Sequence, residues 1–129
     1  DLRQRGVPVN GIGFQAHFKL DDLPTADELT RNFARFAALG LKIQITELDI
    51  RVPQPSSPEK LRAQADAYRV VFDVCLKTPA CEMVVLWGFT DRDSWIPGSF
   101  PGWGEALIFD GVYAPKPSYW SVHSLLSGK

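Results

Sequence analysis

Strand-like and helix-like patterns alternate along this chain, and that alternation limits the folds open to it. Residues 7–18 carry a turn signal at Asn10-Gly11 followed by a short strand-like run. Thr25-Ala26-Asp27-Glu28 reads as a capping box, in which the threonine accepts from the third residue's amide and the glutamate reaches back. Leu29, Phe33, Phe36 and Ala37 then recur at helical spacing, and Gly40 supplies a left-handed stop. Residues 41–50 alternate and are rich in β-branched side chains, which predicts a second strand. A Pro/Ser loop is expected from Val52 to Ser57.

Ser57-Pro58 opens a second helix, with the serine as N-cap and the proline at the first position. Its expected buried stripe is Leu61, Ala65, Tyr68, Val71 or Phe72, and Cys75, and Thr78-Pro79 ends it. Residues 83–89 form a near-continuous apolar run, which suits a strand buried on both faces. A Gly/Pro/Trp loop follows from Thr90 to Gly104, and Ser118 to Leu126 reads as a closing helix. Strand, helix, strand, helix, strand argues for βαβ units and a parallel sheet, hence an α/β fold. The strands start on the order of 30–40 residues apart, close to the repeat of a (β/α)8 barrel, which takes about 250 residues in all. The expectation is a segment of such a barrel, about three β/α units. The opening residues Asp1 to Gly6 read as the tail of an earlier helix, so the chain is expected to begin mid-fold.

Charge narrows the partners. The formal net charge is −1, with no basic run, so a nucleic-acid surface is not indicated. No apolar stretch approaches the roughly 20 residues needed to cross a bilayer, so no membrane partner is expected. Cys75 and Cys81 stand at a spacing that closes a short disulfide loop or leaves two buried thiols. Two thiols and two distant histidines make no familiar zinc spacing, so no metal is expected.

In parallel α/β folds, ligands bind at the C-terminal ends of the strands. Here those ends are polar or aromatic: Gln15 and His17, Glu47 and Asp49, then Trp87. Strand alternation puts Glu47 and Asp49 on one side, and Gln15 and His17 likewise. Two buried carboxylates need partners, and a histidine on the adjacent strand can hold them by hydrogen bonds and favour their ionised form. An ionised, positioned carboxylate is what a covalent nucleophile requires. The plainer reading makes Glu47 and Asp49 capping or salt-bridging groups and His17 a structural histidine. Asn10-Gly11-Ile12-Gly13 precedes its strand and holds Ala16 at the third glycine position, so it is no phosphate loop. Trp87 and Trp95 are expected to contact ligand through their planar faces, whereas Trp120 is expected to pack in the core.

Three segments resemble the sixth, seventh and eighth strands of glycoside hydrolase family 10 xylanases. They are residues 11–17 (Gly-Ile-Gly-Phe-Gln-Ala-His), 45–50 (Ile-Thr-Glu-Leu-Asp-Ile) and 86–95 (Leu-Trp-Gly-Phe-Thr-Asp-Arg-Asp-Ser-Trp). The ending, Ala106 to Asp110 followed by Pro115-Lys116-Pro117 and Tyr119, is similar too. The resemblance implies one partial catalytic domain over residues 1–129, the C-terminal portion of a secreted, retaining endo-1,4-β-xylanase acting on xylan or xylo-oligosaccharides without a cofactor. It implies that Glu47 is the nucleophile, that His17 hydrogen-bonds it, and that Asp49 orients that histidine. Gln15, Trp87 and Trp95 match residues lining the subsites around the cleaved bond, and Cys75–Cys81 matches a disulfide found in many members.

One departure is large. The family's acid/base glutamate follows an asparagine, and Asn10 and Asn32 are followed here by Gly11 and Phe33. The 129 residues are therefore expected to be inactive alone, because a retaining glycosidase needs two carboxyl groups about 5–5.5 Å apart. A bare three-unit sheet also leaves open edges and an uncovered apolar face. A companion N-terminal chain, or self-association that rebuilds a barrel, is expected to cover them. Another retaining β-glycosidase of the same barrel, such as a cellulase, and a non-catalytic carbohydrate-binding remnant are the competing readings.

Overall fold

Helix α1 (Ala26–Ala37) starts at the expected capping box. Thr25 Oγ1 accepts from the Glu28 amide at 3.2 Å, and Glu28 Oε2 accepts from the Thr25 amide at 2.8 Å. Its end is also as expected. Gly40 takes φ +72°, and the Gly40 and Leu41 amides bond back to Ala37 O and Phe36 O. The computed structural model describes residues 2–128. Of the expected N-terminal helix tail, Asp1 lies outside the described residues, and residues 2–6 form turns rather than helix.

The sheet is built around one long central strand, β3 (Lys42–Pro53). The strands β1 (Gly11–Phe14) and β2 (His17–Lys19) pair with it in parallel, and β4 (Cys81–Leu86) runs parallel to it as well. Ala16, at φ 64°, breaks the first segment into β1 and β2. β3 is longer than expected. Its last residues, Val52 and Pro53, leave the loop and pair antiparallel with β5 (Trp103–Gly104).

Helix α2 (Pro58–Lys77) is capped by Ser57 and ends at Thr78. With α1 it covers one face of the sheet. Phe14 packs its ring 5.4 Å from both Phe33 and Phe36. Ile43, Ile45, Leu48 and Ile50 join Phe33, Tyr68, Val71 and Val122 in the core. Val122 comes from the closing helix α4 (Pro117–Leu126). The stripe on α2 is wider than expected. It includes buried Gln64, whose Nε2 donates to Ile50 O at 2.7 Å and to Glu105 O at 2.5 Å, while Leu61 is only half-buried.

Two burial expectations fail. β4 is not buried on both faces: Val84 and Leu86 pack on the core, whereas Met83 and Val85 are exposed. Alternation sends those two to the other face, over which the described residues lay no second layer. Trp120 is 53% exposed, not core. It sits on the outer side of α4, against Tyr119 and His123.

Tyr68 carries a pH prediction. It is fully buried and its hydroxyl donates to Ala106 O at 2.6 Å. Burial, with the charges of Asp49 and Asp91 adding to it, pushes its pKa well above the usual phenol value. The folded phenol thus holds its proton more tightly than the unfolded one. That contribution to stability is complete below the unfolded phenol's pKa of about 10 and is lost as pH rises above it. Denaturant unfolding as a function of pH is expected to show a steep alkaline loss of stability, flattened in Tyr68→Phe. An unchanged alkaline limb in that variant would rule out Tyr68 as the cause.

Candidate active site

The site begins with an irregularity in β3. Ile45 and Leu48 both lie in the core, although an odd separation puts side chains on opposite faces of a regular strand. Register explains this. From Ile45 to Leu48 β3 advances three residues while β4 advances two, from Val84 to Leu86. Against the first segment, β3 advances from Ile45 to Asp49 while its partner advances from Phe14 to His17. β3 thus carries one extra residue relative to both neighbours, a bulge. Gly13 leaves room for it, since a Cβ there would meet Thr46 Cγ2 at 2.9 Å. Thr46 Oγ1 donates to Phe14 O at 3.2 Å.

Glu47, within the bulge, and Asp49, just after it, converge on one imidazole. His17 Nε2 lies 3.0 Å from Glu47 Oε2, and His17 Nδ1 lies 2.9 Å from Asp49 Oδ2. A ring carrying both protons donates to each carboxylate. A ring protonated at Nδ1 alone donates to Asp49 and accepts from a protonated Glu47. Glu47 keeps 22% of its side chain exposed, while Asp49 is sealed completely. One carboxylate is therefore reachable from solvent, and the other stands behind the histidine.

Trp95 completes the support. After β4 the chain makes one 3-10 turn (Asp91–Asp93), capped by the Thr90 hydroxyl. Trp95 then precedes the short helix α3 (Ile96–Ser99), whose Ile96 is fully buried. Trp95 Nε1 donates to Asp49 Oδ2 at 2.8 Å, and its ring centroid lies 5.0 Å from that of His17. Trp87 presents its ring 6.3 Å from His17, edge to face, and remains 48% exposed.

Sequence reasoning brought together His17, Glu47 and Asp49, with Trp87 and Trp95 beside them. It anticipated ligand contact for Trp95, and the structure adds a hydrogen bond to Asp49. Gln15 is not brought into that cluster by a side-chain hydrogen bond. Ala16 interrupts the alternation that placed Gln15 and His17 on one side. Gln15 instead accepts from the Glu47 amide through its carbonyl and borders a cavity of about 390 Å³ against α1. Cys75 and Cys81 are disulfide-bonded, joining the end of α2 to the start of β4. Among the described residues no group of three or more His, Cys, Asp or Glu is placed to hold a metal ion. No described helix is long and apolar enough to cross a membrane.

Lys116 is the residue that sequence reasoning missed. It lies 6% exposed and donates to Asp91 Oδ2 at 2.8 Å and to the carbonyls of Glu105 and Leu107. That pair engages the Asp91 carboxylate, so it is not free to act as a second carboxyl group beside Glu47. Asp49 is not free either, since Oδ2 is occupied twice and the group has no exposed surface.

Asp49 Oδ1 is already buried without a hydrogen-bond partner. Trp95→Phe, which also leaves Oδ2 with His17 alone, is therefore expected to lower stability by about 1–3 kcal/mol. Urea unfolding checks this, and a variant as stable as the parent would show that the indole bond is dispensable.

Comparison with known proteins agrees with this geometry. The glycosyl hydrolase family 10 model matches residues 1–125. Endo-1,4-beta-xylanase B of Thermotoga neapolitana is 45% identical over 130 residues, spanning 100% of this chain and 37% of the relative. Xylanase 10B from Thermotoga petrophila RKU-1, solved with xylobiose, superposes with a TM-score of 0.94 at 46% identity, over 98% of this chain and 39% of that one. A glycosylated endo-beta-1,4-xylanase from Gloeophyllum trabeum superposes at 0.88 with 42% identity, over 97% and 39%. The chain thus spans less than half the length of these relatives, and its parallel sheet and helices are a segment of their (β/α)8 barrel. With a family match over nearly its whole length and a histidine-bridged carboxylate pair in its central strand, the chain belongs to glycosyl hydrolase family 10.

Proposed function

We propose that this chain is the C-terminal portion of a secreted, retaining endo-1,4-β-xylanase, residues 1–129 forming part of one catalytic domain. The observation that carries the reading is the His17 bridge, 3.0 Å to Glu47 and 2.9 Å to Asp49. In this reading Glu47 is the nucleophile. His17 holds Oε2, which leaves Oε1 to attack the anomeric carbon and form a glycosyl ester. Asp49 orients the histidine and Trp95 fixes Asp49. The exposed ring of Trp87 borders the sugar, and the resemblance alone adds Gln15 as a subsite residue. The substrate is an internal β-1,4 bond of xylan, as the relatives' names and the xylobiose complex support.

The second carboxyl group, which protonates the leaving oxygen and later activates water, is assigned to the part of the barrel outside these 129 residues. That part is supplied by a companion N-terminal segment. The isolated chain is accordingly expected to release no reducing ends from xylan above background. Clear turnover by the purified 129 residues, with no second polypeptide detected by mass spectrometry, would sink this assignment. Exposure of Trp87 favours one residual property of the chain alone, weak binding of xylo-oligosaccharides, which quenching of tryptophan fluorescence would reveal.

A further inference from the structure

Lys116 takes no part in the reaction drawn above, yet no other described lysine is placed among the buried polar and charged residues. Its three ammonium protons are matched by three acceptors: Asp91 Oδ2 at 2.8 Å, Glu105 O at 2.6 Å and Leu107 O at 2.8 Å. Asp91 is held from a second direction, because Oδ1 accepts from the Leu107 amide at 2.8 Å. Glu105 adopts φ 45°, a left-handed backbone unusual for a non-glycine residue, and its carbonyl is gripped by both Lys116 and Gln64. Three segments that are distant in sequence thus meet at one ammonium group: the loop after β4, the stretch after β5 and the N-terminus of α4.

The loop after β4 leads to the site. Asp91 begins the 3-10 turn, and its carbonyl accepts from the Ser94 amide at 3.4 Å. The next residue is Trp95, whose indole donates to Asp49. Downstream, the loop is anchored by buried Ile96; upstream, its charged anchor is the Lys116–Asp91 pair. Burial pushes the Asp91 carboxyl up and the Lys116 ammonium down, each opposed by the other's charge. Glu105 and Asp110 are the further carboxylates facing the pair. The pair is therefore a desolvated contact that fixes the Asp91 side chain, while the Asp91 amide donates to Phe109 O at 2.9 Å and holds the backbone of the turn.

We propose that Lys116 is a positioning residue for the Glu47 site, acting through Asp91 and the 3-10 turn to set the Trp95–Asp49 hydrogen bond. Its importance for catalysis rests on the xylanase reading. The bond itself does not, so the test reads the bond in this chain and needs no xylan.

The experiment follows hydrogen exchange of the four tryptophan indole protons by NMR, with Trp95→Phe identifying the Trp95 signal. Lys116→Met is compared with Lys116→Met/Asp91→Asn, which leaves neither charge buried and keeps the variant folded should the single substitution unfold the chain. The internal reference is the Ile43 amide near the start of β3, bonded to Ala80 O at 2.8 Å. In either folded variant, Trp95 indole exchange is expected to accelerate about tenfold relative to Ile43, a size typical of side-chain coupling. An unchanged ratio, with both protons accelerating together, means that the pair supports global stability only and overturns the proposal.

Discussion

In an enzyme that carries Glu47 together with the remaining strands of its barrel, Glu47→Gln is expected to lower kcat on xylan by about 10⁴-fold or more. KM is expected to change far less. The size follows from what glutamine keeps and loses. Its side-chain amide offers an oxygen to a protonated His17 Nε2 and an N–H to an unprotonated one, so the 3.0 Å contact and the surrounding packing survive. What it lacks is a carboxylate able to form and release a glycosyl ester. Reducing-end assays give kcat, and calorimetry with xylo-oligosaccharides gives binding. A loss of less than tenfold would remove Glu47 from the nucleophile's role. A carbohydrate-binding protein without chemistry would show unchanged binding and no kcat to lose.

The second large effect concerns stability. Lys116→Met is expected to destabilise the fold by about 3–5 kcal/mol, because it strands a buried carboxylate. Asp91 loses its cation, and the carbonyls of Glu105 and Leu107 lose a donor. Neutralising both partners in Lys116→Met/Asp91→Asn is expected to recover most of that loss, since the uncompensated charge is gone and asparagine still offers an oxygen to the Leu107 amide. Against a typical domain stability of about 5–15 kcal/mol, the single variant melts far earlier than the double. Chemical denaturation of both, with Asp91→Asn alone to complete the cycle, measures the coupling. Equal losses in the single and double variants would locate the damage in the missing packing of the lysine stem instead.

Much of this is legible in the amino-acid sequence. Thr25 and Glu28 announce α1 because a capping box is a local interaction, complete within four residues. Glu47, Asp49 and His17 are legible as a cluster because the two carboxylates lie two apart in one strand. Alternation alone does not relate Gln15 to His17, since Ala16 adopts φ 64° between them and nothing about an alanine announces a left-handed backbone. The run around Met83 reads as a strand, but whether its second face is covered depends on layers that a short stretch of sequence does not describe. Trp120 is similar, for α4 carries apolar residues all round and gives no inward direction. Lys116 was hidden for a different reason. A single lysine between two prolines has no period, and only the meeting of three distant segments makes it a buried ion.

The bulge in β3 separates two interests that usually coincide. A strand shortened by one residue between Ile45 and Leu48 would keep its core side chains in phase and match the advance of both neighbours over that stretch. It would have one inward position where this strand has two, filled by Thr46 and Glu47. Nothing in the packing of the sheet requires the second. A designer who regularised this strand, or a lineage selected for folding alone, would have no reason to keep the reactive carboxylate. If Glu47 is the nucleophile, the additional residue serves the site rather than the sheet, and the length of one strand carries a cost that only the chemistry explains.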